Sequence, residues 1–115
     1  MFVGKYEMIV QFDCNLVLYE VTRNWMPLWA SNTSGQGTNC VAVMRLDGDF
    51  VLYDGLDITL FETNTSSSSC SLSGGPPSFL AILQDDGNFV VYCEPKGCTS
   101  PQQLTPLWAT GTDGW

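Results

Sequence analysis

The sequence predicts an all-β domain shaped as a three-sided prism, and three observations carry that expectation. A nine-residue pattern recurs three times, apolar and polar residues alternate with the period of a strand, and no segment shows the period of a helix. The three copies are Gln11-Phe12-Asp13-Cys14-Asn15-Leu16-Val17-Leu18-Tyr19, Arg45-Leu46-Asp47-Gly48-Asp49-Phe50-Val51-Leu52-Tyr53 and Gln84-Asp85-Asp86-Gly87-Asn88-Phe89-Val90-Val91-Tyr92. Their common frame is Q-x-D-x-N-x-V-x-Y. Each is followed by a cassette: Pro27-Leu28-Trp29-Ala30-Ser31-Asn32-Thr33, Thr59-Leu60-Phe61-Glu62-Thr63-Asn64-Thr65 and Pro106-Leu107-Trp108-Ala109-Thr110-Gly111-Thr112.

The frame aspartates are 34 and 39 residues apart, too close for separate domains and right for one small sheet per repeat. The 115 residues therefore read as one domain, 1-115, with repeats at about 1-34, 35-68 and 69-113. In the second and third repeats, Asp-Gly at 47–48 and 86–87 lies between apolar runs and signals a hairpin. The stretches Ser34-Gly35-Gln36-Gly37, Ser66-Ser67-Ser68-Ser69 and Ser73-Gly74-Gly75-Pro76-Pro77 are joints between repeats. A sheet of this size cannot cover its own apolar face, so three four-stranded antiparallel sheets must bury theirs together around a pseudo-threefold axis. Trp29, Phe61 and Trp108, one per repeat, are expected at the centre of that core.

Parity then assigns the faces. Gln84, Asp86, Asn88, Val90 and Tyr92 are all even-numbered and share one face of a strand, or of a hairpin whose loop is odd. A three-residue loop of Asp86-Gly87-Asn88 would pair Gln84 with Val90 and Ile82 with Tyr92. It would leave Leu83, Phe89 and Val91 inward and the polar set outward. The same holds for Gln11, Asp13, Asn15, Val17 and Tyr19.

Composition narrows the chemistry. Hydrophobic residues make up 44% and charged residues 14%, enough for a core. Four Lys plus Arg against twelve Asp plus Glu leave a net charge of −8, which disfavours nucleic acid and anionic bilayers. Histidine is absent, removing the commonest general base and zinc ligand. No apolar run is long enough to span a bilayer, and no membrane insertion is expected. The residues from Met1 to Glu7 do not form a secretory signal, so such a segment is expected to have been removed or never present. Five cysteines and the acceptor patterns Asn32-Thr33-Ser34 and Asn64-Thr65-Ser66 favour a secreted protein with disulfides, with a cytoplasmic one as the alternative. Asp85-Asp86-Gly87-Asn88 has neither the flanking helices nor the twelfth-position Glu of a calcium loop, and no metal or cofactor is expected. Asp47 and Asp49 are a carboxylate pair, but no deep cleft is implied and a glycosidase is not expected.

The repeated frame and its W-A-[ST]-x-T cassette resemble the bulb-type (monocot) mannose-binding lectins of β-prism II fold, over nearly the whole chain. The resemblance implies a non-enzymatic binder of mannose and high-mannose glycans, one shallow site per sheet, without metal. It implies that Asp13 and Asn15, and again Asp86 and Asn88, hold the axial O2. Gln11 and Gln84 would reach O3, Tyr19 and Tyr92 would reach O4, and Val17 and Val90 would face the C3–C4 patch. The residue types suit that role, since carboxylate, amide and phenol groups together satisfy hydroxyls that both donate and accept. An open site of this kind is expected to bind near millimolar, about −4 kcal/mol.

The second frame departs from the family, with Arg45 for Gln and Asp49 for Asn beside Asp47, Val51 and Tyr53, and with Phe61 for Trp. Arg45 is expected to pair with Asp49 and fill the pocket, leaving a degenerate site. The resemblance also implies a Cys14–Cys40 disulfide. Cys93–Cys98 could close a small loop, while Cys70 remains odd or pairs elsewhere. In the family the end of the chain exchanges strands between protomers, so Trp108 to Trp115 could pack on a partner in a homodimer. The competing expectation is a β-prism interaction or defence scaffold with vestigial sugar sites.

Overall fold

In the computed structural model, residues 1–66, 78–94 and 104–113 are described. Among these residues ten strands form three antiparallel sheets, the β-prism II arrangement. Sheet 1 contains β1 (Phe2–Val3), β2 (Tyr6–Val10), β3 (Leu16–Glu20) and β4 (Met26–Ala30) in that order. Sheet 2 contains β5 (Val41–Met44), β6 (Phe50–Tyr53) and β7 (Thr59–Glu62). Sheet 3 contains β8 (Ser78–Leu83), β9 (Phe89–Glu94) and β10 (Thr105–Ala109), with β9 central. The expected four strands per sheet are present in sheet 1; sheets 2 and 3 have three each among the described residues. A single 3-10 turn, Val21–Arg23, is the one helical element among them.

The central strands make the core. Leu16 and Leu18, Phe50 and Leu52, and Phe89 and Val91 converge with Tyr6, Met8 and Leu83 in one buried cluster drawn from all three sheets. Trp29, Phe61 and Trp108 meet as a triangle, with ring centroids 5.4, 5.5 and 6.0 Å apart in edge-to-face pairs. They pack against the cluster rather than forming its centre, and each remains partly exposed. Strict alternation would send Leu and Trp of a cassette to opposite faces. Register shifts in the pairing of each frame strand with its cassette strand remove that constraint: β3 with β4 at Leu18/Tyr19, β6 with β7 at Leu52/Tyr53, and β9 with β10 at Pro106/Trp108. Leu28, Leu60 and Leu107 therefore also pack inward.

The frame hairpins turn through three residues, one position earlier than expected. Gln84 N–H donates to Asn88 O (2.9 Å) and Gly87 N–H to Gln84 O (3.1 Å), so the loop is Asp85-Asp86-Gly87. Ile82 thus pairs with Val90 and Leu80 with Tyr92, in place of the expected partners. The loop remains odd, so the face assignment stands, and Leu83, Phe89 and Val91 are buried. The third loop residue is left-handed in every copy: Cys14 at φ 71°, Gly48 at 99° and Gly87 at 91°.

That residue also joins each sheet to the next. Cys14 closes the expected disulfide to Cys40, ahead of β5, over a sequence separation of 26 and a Cα–Cα distance of 5.5 Å. In the chain-entropy picture such a loop is worth about 3–4 kcal/mol. Gly48 sits against the ring of Phe79 in β8, and Gly87 against the ring of Tyr6 in β2. Cys93 is also disulfide-bonded. Cys70 and Cys98 lie outside the described residues, as does the pairing expected for Cys93–Cys98.

Candidate carbohydrate site

The outer face of each sheet carries its frame. In sheet 1 Gln11 Nε2 donates to the Tyr19 hydroxyl, and in sheet 3 Gln84 Nε2 donates to that of Tyr92. The ends of each frame thus meet on one face, as parity requires. Each hydroxyl keeps its own proton to offer. Val17 and Val90 lie beneath, at 3% and 2% exposure, and form the pocket floor rather than an open apolar wall.

The aspartates shape the turn and leave acceptors at its rim. Asp13 Oδ1 accepts the Asn15 N–H at 3.0 Å, and Asp86 Oδ1 accepts that of Asn88 at 2.9 Å. The remaining oxygens differ. Ser34 donates to Asp13 Oδ2 at 2.7 Å, whereas Asp86 Oδ2 has no partner among the described residues. The Ser34 hydroxyl and the Asn15 N–H hold the Asp13 carboxyl below the usual carboxylate range.

The asparagines work in two directions. Asn15 Oδ1 accepts from the Ser31 hydroxyl and the Thr33 N–H, both at 3.2 Å. Asn88 Oδ1 accepts from Thr110 Oγ1 (3.2 Å), Gly111 N–H (3.0 Å) and Thr112 N–H (3.3 Å). Only the Nδ2 groups stay open, so each Asn has a donor and no acceptor for a ligand. The cassette hydroxyls complete the joint: Thr33 donates to Cys14 O at 2.6 Å, and Thr112 donates to Gly87 O. The S/T-x-T spacing exists because two hydroxyls must reach one turn from the neighbouring strand. The residue between them is left-handed, Asn32 at φ 61°, Asn64 at 58° and Gly111 at 72°. Both glycosylation-like patterns therefore have a backbone explanation.

Sheet 2 is built differently. Arg45 donates to the Tyr53 hydroxyl at 2.8 Å and pairs with Asp47 Oδ2 at 2.9 Å. It does not pair with Asp49 as expected, because Asp49 is turned inward at 4% exposure. There it takes over the scaffolding role of the asparagines, accepting from Thr63 Oγ1 (3.2 Å), Asn64 N–H (2.9 Å) and Thr65 N–H (3.4 Å). The Tyr53 hydroxyl and Asp47 hold the Arg45 guanidinium more firmly protonated than usual.

One participant was not anticipated. Glu62 stands across from Val51, where the sister sheets place Ala30 and Ala109. Its hydrogen bond with Asp49 and the charge of that carboxylate raise the Glu62 pKa. The signal was present in the sequence as the one cassette with Glu in the Ala position. A raised folded-state pKa stabilises below the ordinary carboxylate pKa, and that stabilisation is lost as pH rises through the folded value. Glu62→Ala is therefore expected to raise the melting temperature more at pH 7 than at pH 4; equal shifts at both would show that the two carboxylates do not repel.

Among the described residues no group of three His, Cys, Asp or Glu is placed to hold a metal ion, and no helix is long and apolar enough to cross a membrane.

No family model matches the chain. A mannose-specific lectin of Aloe arborescens is 38% identical over 109 residues, 95% of this chain and 82% of that protein. Among solved structures, a monomeric monocot mannose-binding lectin from Gastrodia elata superposes with a TM-score of 0.74 at 34% identity, covering 98% of this chain and 86% of that one. The snowdrop (Galanthus nivalis) mannose-specific agglutinin, complexed with methyl-α-D-mannoside, gives 0.70 at 34% identity, covering 88% and 84%.

Proposed function

We propose that this chain, which belongs to the family of monocot mannose-binding lectins, binds mannose without catalysis through one pocket on sheet 1 and one on sheet 3. The pockets are Gln11, Asp13, Asn15, Val17 and Tyr19, and Gln84, Asp86, Asn88, Val90 and Tyr92. The observation that carries the reading is the Gln–Tyr contact closing both pockets beside an Asp acceptor and an open Asn Nδ2 donor. Axial O2 of mannose lies toward the turn, where it can donate to the carboxylate and accept from the amide. O3 and O4 lie toward Gln and Tyr. Equatorial O2, as in glucose, would leave that donor–acceptor pair unmatched.

Sheet 2 is proposed to be closed by its own side chains. Arg45 spans Asp47 and Tyr53 where a hexose would lie, and the buried Asp49 carboxylate has no amide donor to replace Asn Nδ2. Titration calorimetry with methyl-α-mannoside is expected to give two sites per chain near millimolar affinity. The triple variant Arg45→Gln/Asp49→Asn/Glu62→Ala should give three. No heat and no chemical-shift change at tens of millimolar mannoside would sink the assignment and favour the scaffold reading.

Two pockets on one rigid frame suit branched, mannose-rich glycans or glycoproteins, where the second contact gains from effective concentration. Secretion is supported by the Cys14–Cys40 disulfide, a bond that persists in oxidising compartments. Within this chain β10 pairs with its own β9. A homodimer by strand exchange would replace that pairing with the same one from a second copy.

A further inference from the structure

We propose that the sheet 1 pocket continues into a second hexose subsite, formed by Trp25 and Glu7, with no counterpart beside the sheet 3 pocket among the described residues. The proposal rests on the reading of sheet 1 as a mannose site and adds that this sheet selects a mannose carrying a second linked hexose over mannose alone.

The 3-10 turn Val21–Arg23 ends in two successive left-handed residues, Asn24 at φ 60° and Trp25 at φ 56°. Asn tolerates that conformation; a bulky aromatic residue adopts it only against its own preference. What the strain secures is not core burial, because Trp25 stands outside the apolar cluster and is 48% exposed. Its ring partner is Tyr19, with centroids 5.7 Å apart and planes at 74°. Tyr19 is the residue whose hydroxyl closes the pocket with Gln11. A strained, half-exposed indole is thus held against the mouth of the site, which is where strained residues carry function.

Glu7 adds the polar half. It is the cross-strand partner of Tyr19, on the same face of the sheet, and its carboxylate makes no hydrogen bond or ion pair among the described residues. The corresponding partners are Val41 for Tyr53 and Leu80 for Tyr92. Neither of those tyrosines has an aromatic neighbour among the described residues. Among the described residues the combination is therefore confined to sheet 1.

Its chemistry fits a second sugar. One face of a pyranose presents C–H groups that carry partial positive charge and settle on the negative face of an indole. The rim of the same ring presents hydroxyls, and a carboxylate is their strongest acceptor. An apolar partner would leave Glu7 desolvated and unpaired, and an anionic one would be repelled by it.

The test compares methyl-α-mannoside with the 2-, 3-, 4- and 6-linked α-mannobiosides, in an Asp86→Ala background that leaves sheet 1 as the site measured. At least one mannobioside is expected to bind about tenfold more tightly than the monosaccharide. Trp25→Ala should reduce that ratio to near one, Trp25→Phe should restore much of it, and Glu7→Gln should lower it severalfold. Mannobiosides that bind no better than mannoside, or a preference that survives Trp25→Ala, would overturn the subsite while leaving the mannose pocket intact. Loss of mannoside binding altogether in the unsubstituted chain would remove both. Should the Asp86→Ala background not fold, the indole N–H resonance of Trp25 in the unsubstituted protein decides. It is expected to shift with mannobioside and not with mannoside, and an unmoved resonance would refute the proposal.

Discussion

Gly87→Ala is expected to lower stability by about 3 kcal/mol, a fall in melting temperature of roughly 10 °C or more. Two costs combine. At φ 91° a Cβ carries a conformational penalty of about 1–2 kcal/mol. The added atom would also stand 2.8 Å from the Tyr6 ring, which is itself only 3% exposed and has little room to retreat. Overpacking of this kind costs about 1–3 kcal/mol. Gly111→Ala is the control, since it shares the left-handed backbone at φ 72° but has nothing within 4 Å of the new atom. It should cost only the conformational part. Thermal melts of the two variants separate the effects, and equal losses would show that the Tyr6 contact contributes nothing.

The double substitution Asp13→Asn/Asp86→Asn is expected to abolish measurable mannoside binding while leaving the fold intact. Asn keeps the Oδ1 that accepts the N–H of residue 15 or 88, so both turns remain closed. What disappears is the charge on the acceptor. Hydrogen bonds to charged groups contribute about 1.5–3 kcal/mol, set against a total near −4 kcal/mol for a millimolar ligand. The single variants should each retain one of the two sites. Calorimetry with a matched circular dichroism spectrum is the measurement, and binding undiminished in the double variant would remove the carboxylates from the site.

Much of the architecture was legible because a repeat states each decision three times. Period-two alternation placed Gln84 and Tyr92 on one face, and Leu83, Phe89 and Val91 on the other, without reference to the loop's position. Asp86-Gly87-Asn88 looks like a turn centred on glycine, which puts the expected loop one residue late. In fact Gly87 closes the loop as its left-handed third residue, and Cys14 does the same in repeat 1 where no glycine signals it. Adjacent Leu and Trp both pack inward through a register shift, which composition does not reveal.

Within the site, the residue types were readable and the division of labour was not. Asn15 and Asn88 are amides whose carbonyl serves the protein and whose NH2 faces outward, a split that depends on the cassette hydroxyls reaching the turn. Arg45 was expected to seek the new carboxylate at Asp49, but burial of Asp49 left Asp47 and Tyr53 as its partners. Trp25 lies between frame and cassette, outside any repeated pattern, so self-similarity could not point to it.

The contacts from each hairpin to the following sheet run in a circle: Cys14 to Cys40, Gly48 to Phe79, Gly87 back to Tyr6. Because every module supplies one clasp and receives another, none has a free end from which to peel. Deleting any one would unseat both neighbours at once, so the smallest piece able to hold itself together is the complete ring, and unfolding should proceed in a single step.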